Sequence, residues 1–196
     1  MADTDFPVRM SSAEQELFTS LLGTSRAFLE FGCGGSTLLA IQHSLHFIAS
    51  VDTDLSWIEK LKKNDIVSKA VASRRLHFIH VDLGAVGEWG VPSGESQIRS
   101  WPKYYSSPYL RFDWEFDLIL IDGRFRVPCL LTAALCAPDG CRVLVHDYGL
   151  RHNYSVAEKY FDTQRTAGTL FLLKKRNKIN NRALALDLLS SLFDPS

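Results

Sequence analysis

A chain of 196 residues, 46% hydrophobic and 22% charged, is long enough for one domain with a substantial core and too apolar to be disordered. Lysine plus arginine equals aspartate plus glutamate at 22 each, so no net charge draws the chain toward nucleic acid or an anionic membrane. No apolar run approaches about 18 residues, and Met1-Ala2-Asp3-Thr4-Asp5 lacks the basic start of a signal peptide, so a soluble, cytoplasmic protein is expected.

In chain order, residues 12–22 read as a helix within an N-terminal segment 1–24. Ser11 and Ser12 open it, Glu14 and Glu16 come early, and Leu17, Phe18, Leu21 and Leu22 recur at helical spacing. Residues 27–32 form an apolar strand that runs into a glycine-rich turn, and 36–45 a crossover helix. Residues 47–52 are a second strand. A helix over 56–63 follows, with Trp57, Ile58 and Leu61 on one face, and then a third strand over 76–82. Residues 83–115 are 33 residues without clear periodicity, rich in aromatics (Trp89, Trp101, Tyr104, Tyr105, Tyr109, Trp114) and stiffened by Pro92, Pro102 and Pro108. This segment is expected to be a lid over a ligand site, or else to pack on itself. Residues 116–122 are a fourth strand buried on both faces, 127–136 a helix and 141–147 a fifth strand. A helix over 155–161, a strand over 169–174 and a helix over 182–193, in a tail spanning 177–196, complete the pattern. Repeated β-α-β units predict a single α/β domain over residues 1–196, a Rossmann-like, doubly wound, mostly parallel sheet with helices on both faces. Cys33, Cys129, Cys136 and Cys141 form no C-x-x-C pair and indicate neither a zinc site nor a disulfide framework.

Ligands of such sheets bind outside the carboxyl ends of the strands. Acids occupy about one position in nine, so a single acid at a strand end says little. Four such ends carry one, namely Glu30, Asp52, Asp82 and Asp122, and that pattern reads as functional. Glycines in Gly32-Cys33-Gly34-Gly35 allow the backbone close to a ligand, and the amino end of the next helix offers free N–H groups. The dinucleotide fingerprint needs a third glycine at position 37, where this chain has Thr37. Glu30 suits a cationic, amine-bearing ligand better than a pyrophosphate. Asp52 follows Gly32 by 20 residues, the spacing at which an acid meets ribose hydroxyls. The plainer use of Asp52 is as a helix N-cap, for which Asp54 competes.

The stretch Glu30-Phe31-Gly32-Cys33-Gly34-Gly35 resembles the first motif of class I S-adenosylmethionine-dependent methyltransferases, with Ser36 where that superfamily commonly has its last glycine. In order and spacing the resemblance covers residues 25–175. It implies that residues 30 and 32–36 hold the methionine moiety of S-adenosyl-L-methionine, that Asp52 holds its ribose and that Asp82 accepts from the adenine amino group. Asp82 before Leu83-Gly84 is otherwise a turn-former. Asp122, at the end of the fourth strand, would face the methyl acceptor, and Asp147 after the neighbouring fifth strand would converge on it, strands lying about 4.8 Å apart. The layout is similar to macrocin- and catechol-type O-methyltransferases, in which acids at these places hold Mg²⁺, so Asp122 and Asp147 are candidate metal ligands. His146 departs from that pattern, since imidazole suits Mg²⁺ less well than carboxylate. Without a metal, His146 or Asp147 would be the general base, or His146 would merely bond the strand edge. Arg124 and Arg126 would clamp an acidic acceptor or lie on solvated surface. The resemblance implies O-methylation of a small-molecule acceptor, with no nucleic-acid or membrane partner. A methyltransferase-like interaction domain and a nicotinamide-dependent oxidoreductase stay open as other classes.

Overall fold

Runs such as Leu118-Ile119-Leu120-Ile121 have no polar face to offer water, so they occupy the middle of a sheet covered on both sides. The computed structural model describes residues 6–150 and 152–196; the Met1–Asp5 start lies outside the described residues. The chain runs α1 (Ser12–Leu22), β1 (Ala27–Phe31), α2 (Gly35–Ile41), β2 (Phe47–Asp52), α3 (Leu55–Lys62), α4 (Asp65–Ala72) and β3 (Leu76–His80). It continues through α5 (Pro102–Arg111), β4 (Leu118–Ile121), α6 (Arg126–Cys136), β5 (Arg142–Val145), β6 (Phe161–Ala167), β7 (Leu170–Lys175) and α7 (Asn181–Ser191). The seven strands form one sheet in the order β3-β2-β1-β4-β5-β7-β6, with β7 antiparallel to both of its neighbours and all other pairs parallel. The predicted doubly wound architecture is therefore present. Among the described residues no helix is long and apolar enough to cross a membrane.

Successive strand residues point to opposite faces, and this divides the core in two. Phe28, Ile48, Leu118, Leu120 and Leu144 pack beneath α1–α4, while Leu29, Phe31, Ile119, Ile121 and Val145 pack beneath α5–α7. By the same alternation Glu30 shares the face of Phe28 and points toward α2.

Three elements depart from the expectations. Helix α4 lies between the second helix and the third strand, capped by Asn64, whose side chain accepts from the Ile66 amide at 2.9 Å. Helix α5 occupies the second half of the expected lid. Pro102 sits in its first turn, where a missing N–H costs nothing, and Tyr104, Tyr105 and Pro108 face the core. Trp101, Tyr104 and Tyr105 gather around Phe125 with ring centroids 5.5–6.2 Å apart, so these aromatics pack on the fold itself. The helix expected over 155–161 is instead a 3₁₀ turn over His152–Lys159, and Phe161 opens β6. That strand is at the sheet edge and exposed from Asp162 to Thr166, so it carries no alternation to read.

Candidate functional site

Strand order reverses between β1 and β4, so their carboxyl ends open a crevice. Gly32 turns the chain there at φ +94°, in the left-handed region, and a Cβ on it would lie 2.9 Å from the Cα and N of Gly123, the second residue past β4. A Cβ on Gly123 would strike the Tyr104 hydroxyl and lie 2.8 Å from the Gly32 nitrogen. The two turns touch because neither has a side chain. A Cβ on Gly35 would lie 2.7–2.8 Å from the backbone of Pro7 and Val8, so the segment before α1 roofs the glycine turn.

Glu30 is fully buried behind this turn instead of lining the crevice. Ser36 donates to its Oε2 at 2.7 Å, Thr37 to its Oε1 at 2.5 Å, and Ser50 also donates to Oε1. Burial pushes its carboxyl up to about 7 despite these hydroxyls. Thr37, in the place of the third glycine, also accepts from the Gly34 amide at 2.9 Å, and the acid thereby fixes the shape of the turn through α2. This corrects the expectation of direct contact between Glu30 and a ligand. Ser36, Gly32, Cys33, Gly34 and Gly35 do line the crevice.

Asp52 lies at its edge. Its Oδ2 accepts from the Cys33 amide at 2.9 Å, and its Oδ1 from the Thr53 and Asp54 amides at 2.7 and 3.0 Å. The N-cap role belongs to Asp54, which accepts from the Trp57 amide at 3.1 Å, so Asp52 is held in place without being consumed by a helix end. Trp57 donates its indole N–H to the Cys33 carbonyl at 2.8 Å and packs edge-on against Phe6. Opposite, Val86 and Pro92 pair across a short hairpin that carries Trp89 at its tip, with φ +59°. The Arg9 guanidinium lies 4.8 Å from the centre of the Trp89 ring. Together these residues enclose a cleft of about 580 Å³ that also takes in Tyr104, Asp122, Gly123 and Arg124.

Asp82 stands apart. It is exposed, does not line the cleft, and accepts from the Gly84 amide at 2.9 Å, the turn-forming use open to it from the start. The cleft wall beyond Asp52 comes from Gly87–Gly90 instead, within the 83–115 segment expected either to lie over a ligand site or to pack on itself. Phe6, Arg9 and Trp57 line the cleft as well, and nothing in their spacing announces them.

Beyond the glycines, Asp122, His146 and Asp147 each bring one possible ligand atom within 4.8 Å of the others. His146 Nδ1 is 3.2 Å from Asp122 Oδ1 and 3.6 Å from Asp147 Oδ1. Its Nε2 is 3.4 Å from the Thr169 hydroxyl and 3.6 Å from Glu14 Oε1, on α1. The hydrogen bond to Asp122 holds the imidazole pKa above its ordinary value, against the effect of burial and helped by the carboxylates of Asp122, Asp147 and Glu14. His146 does not itself line the cleft, whereas Asp122 does. Arg126 is the larger surprise: far from being surface, it is 3% exposed and reaches Asp122 Oδ1 and Asp147 Oδ2, each at 3.3 Å. Arg124 lines the cleft.

Two carboxylates bridged by a buried guanidinium, with an imidazole as third donor, do not fit Mg²⁺, which demands an octahedron of oxygens. S-Adenosylmethionine fits better. Around Gly34 the floor is open, since a Cβ placed there would have Trp57 as its nearest neighbour at 4.0 Å, and this space lies beside the pinned Asp52 carboxylate.

The sheet order, with its one antiparallel strand next to β5, is that of the class I methyltransferase fold. Neither a family model nor a curated protein sequence matches the chain. Among solved structures, a methyltransferase-like protein from Silicibacter pomeroyi superimposes with a TM-score of 0.86 at 24% identity, covering 97% of this chain and 98% of that one. An RNA methyltransferase from Salinibacter ruber, in complex with S-adenosyl-L-homocysteine, gives 0.54 at 14% identity over 88% and 97% of the two chains. A ribosomal protein L11 methylase from Lactobacillus delbrueckii gives 0.57 at 12% identity over 89% and 84%. What these proteins share with this chain is the fold.

Proposed function

We propose that this chain binds S-adenosyl-L-methionine and transfers its methyl group to a hydroxyl of a small molecule. The observation that carries this reading is Asp52, a carboxylate pinned by three amides at the edge of a glycine-floored cleft, on a fold that methyltransferases use. Asp52 would accept from both ribose hydroxyls, and the Gly32–Ser36 backbone would cradle the methionine end. When bound, the cofactor supplies a sulfonium methyl open to in-line displacement, a reaction accelerated mainly by alignment. Asp122 is the acid of the β4–β5 cluster that lines the cleft, so it is the group to orient an acceptor hydroxyl and receive its proton. His146 and Asp147 stand behind it as positioning residues. Four carboxylates (Asp52, Asp54, Glu88, Asp122) against two guanidiniums (Arg9, Arg124) line the cleft, a balance that favours a small acceptor over a nucleic-acid backbone.

Calorimetric titration with S-adenosylmethionine and S-adenosylhomocysteine, with NAD(H) as control, tests the reading. Micromolar binding of the adenosyl ligands alone is expected. Asp52→Asn, its fold checked by circular dichroism, should weaken it at least tenfold, about 1.4 kcal/mol. No binding would leave a methyltransferase-shaped interaction domain, and NAD(H) binding would favour an oxidoreductase.

A further inference from the structure

The guanidinium of Arg126 stands among donor atoms that would otherwise suit a divalent ion. Asp122, His146 and Asp147 converge within 4.8 Å, yet Arg126 bonds one oxygen of each acid at 3.3 Å. Its remaining contacts are to backbone. Nε donates to the Gly123 carbonyl at 3.0 Å, Nη2 to the Asp122 carbonyl at 3.1 Å and Nη1 to the His146 carbonyl. We propose that Arg126 is the permanent cation of this site, which holds the Asp122–Asp147 pair in register and takes the place of a metal ion.

Three properties support the assignment. The side chain is almost wholly buried, and a guanidinium cannot shed its charge by deprotonation, so the positive charge stays at any working pH. All three nitrogens are bonded, to five acceptors in all, a pattern that the point charge of a lysine cannot reproduce. A divalent ion entering between the acids would either stand beside this charge or displace a buried arginine from its partners, and breaking such a pair is strongly unfavourable. His146, which faces Asp122, Asp147 and Glu14, adds further positive charge whenever it is protonated. An acceptor in the cleft is then held by protein groups alone, in a site set before anything binds.

The test needs neither cofactor nor acceptor, so its outcome is separate from that of the methyl-transfer reading. Manganese(II) is titrated into the purified protein and free ion is followed by electron paramagnetic resonance. Wild type should leave millimolar Mn²⁺ free. Arg126→Met should take up one ion per chain, and the added change Asp147→Asn should abolish that uptake. Should Arg126→Met be recovered unfolded, refolding with and without Mn²⁺ becomes the readout, and rescue by the ion is expected. Uptake by wild type that Asp147→Asn removes would overturn the proposal, as would a folded Arg126→Met that binds no ion, or an unfolded one that Mn²⁺ does not rescue.

Discussion

Glu30 ties one acid to the pH dependence of the whole protein. Burial raises its carboxyl to about 7 from the ordinary 4.5, so the folded chain holds the Glu30 proton more tightly than the unfolded one. The stability contributed this way is complete below pH 4.5 and is lost as pH rises through about 7. Wild type should therefore melt at progressively lower temperature from about pH 5 to about pH 8, and Glu30→Gln should flatten that decline. His146, also raised, acts with the same sign and accounts for slope that remains. A decline identical in wild type and Glu30→Gln would show that the buried carboxyl does not titrate in this range. Glu30 was legible in the sequence as an acid at a strand end. Its direction was not, because pointing away from the cleft depends on strand alternation together with the hydroxyls of Ser36, Thr37 and Ser50.

Among the elements, the hairpin between β3 and α5 makes the sharpest claim. Its Gly90 carbonyl is 3.5 Å from the Thr53 hydroxyl, next to Asp52, and its Trp89 is 67% exposed and rests on Arg9. A ligand whose ribose lay on Asp52 would bring its base toward this indole. Trp89→Ala should weaken S-adenosylhomocysteine binding about three- to tenfold, in keeping with roughly 1 kcal/mol of ring contact. It should also remove most of the ligand-induced change in tryptophan fluorescence while leaving the melting temperature nearly unchanged. An undiminished fluorescence response would rule the hairpin out as a wall of the site. The parallel strands were readable because Leu118–Ile121 is apolar throughout and Phe28–Phe31 is apolar but for Glu30. Helix α5 was not, because Pro102 and Pro108 resemble loop residues until the first is found in the opening turn. Arg126 was hidden for a related reason: nothing in Gly123-Arg124-Phe125-Arg126 says which arginine turns inward.

Across the molecule, Glu14 joins parts that are far apart in the chain. It completes a capping box with Ser11 at the start of α1, accepts from the Thr169 amide and hydroxyl at 2.8 and 2.9 Å, and approaches His146. Burial alone would raise its carboxyl, but the hydrogen bonds from Ser11 and Thr169 outweigh it and hold the pKa at about 2. For a lowered acid the sign reverses: the contribution is present above pH 4.5 and fades as pH falls toward 2. Glu14→Gln should lose roughly 2–3 kcal/mol at neutral pH, about 5–10 °C in melting temperature, and the gap to wild type should close in acid. An equal gap at all pH values would mean that packing, not charge, accounts for the loss. The roof over Gly35, made by Pro7 and Val8, has a practical side for anyone handling the protein. A sample nicked by a protease after Met10 would keep its sheet and its circular dichroism spectrum, yet lose one wall of the cleft and pass for a protein that binds nothing. An intact-mass spectrum therefore belongs beside every binding titration, since a silent clip at this end would imitate a negative result.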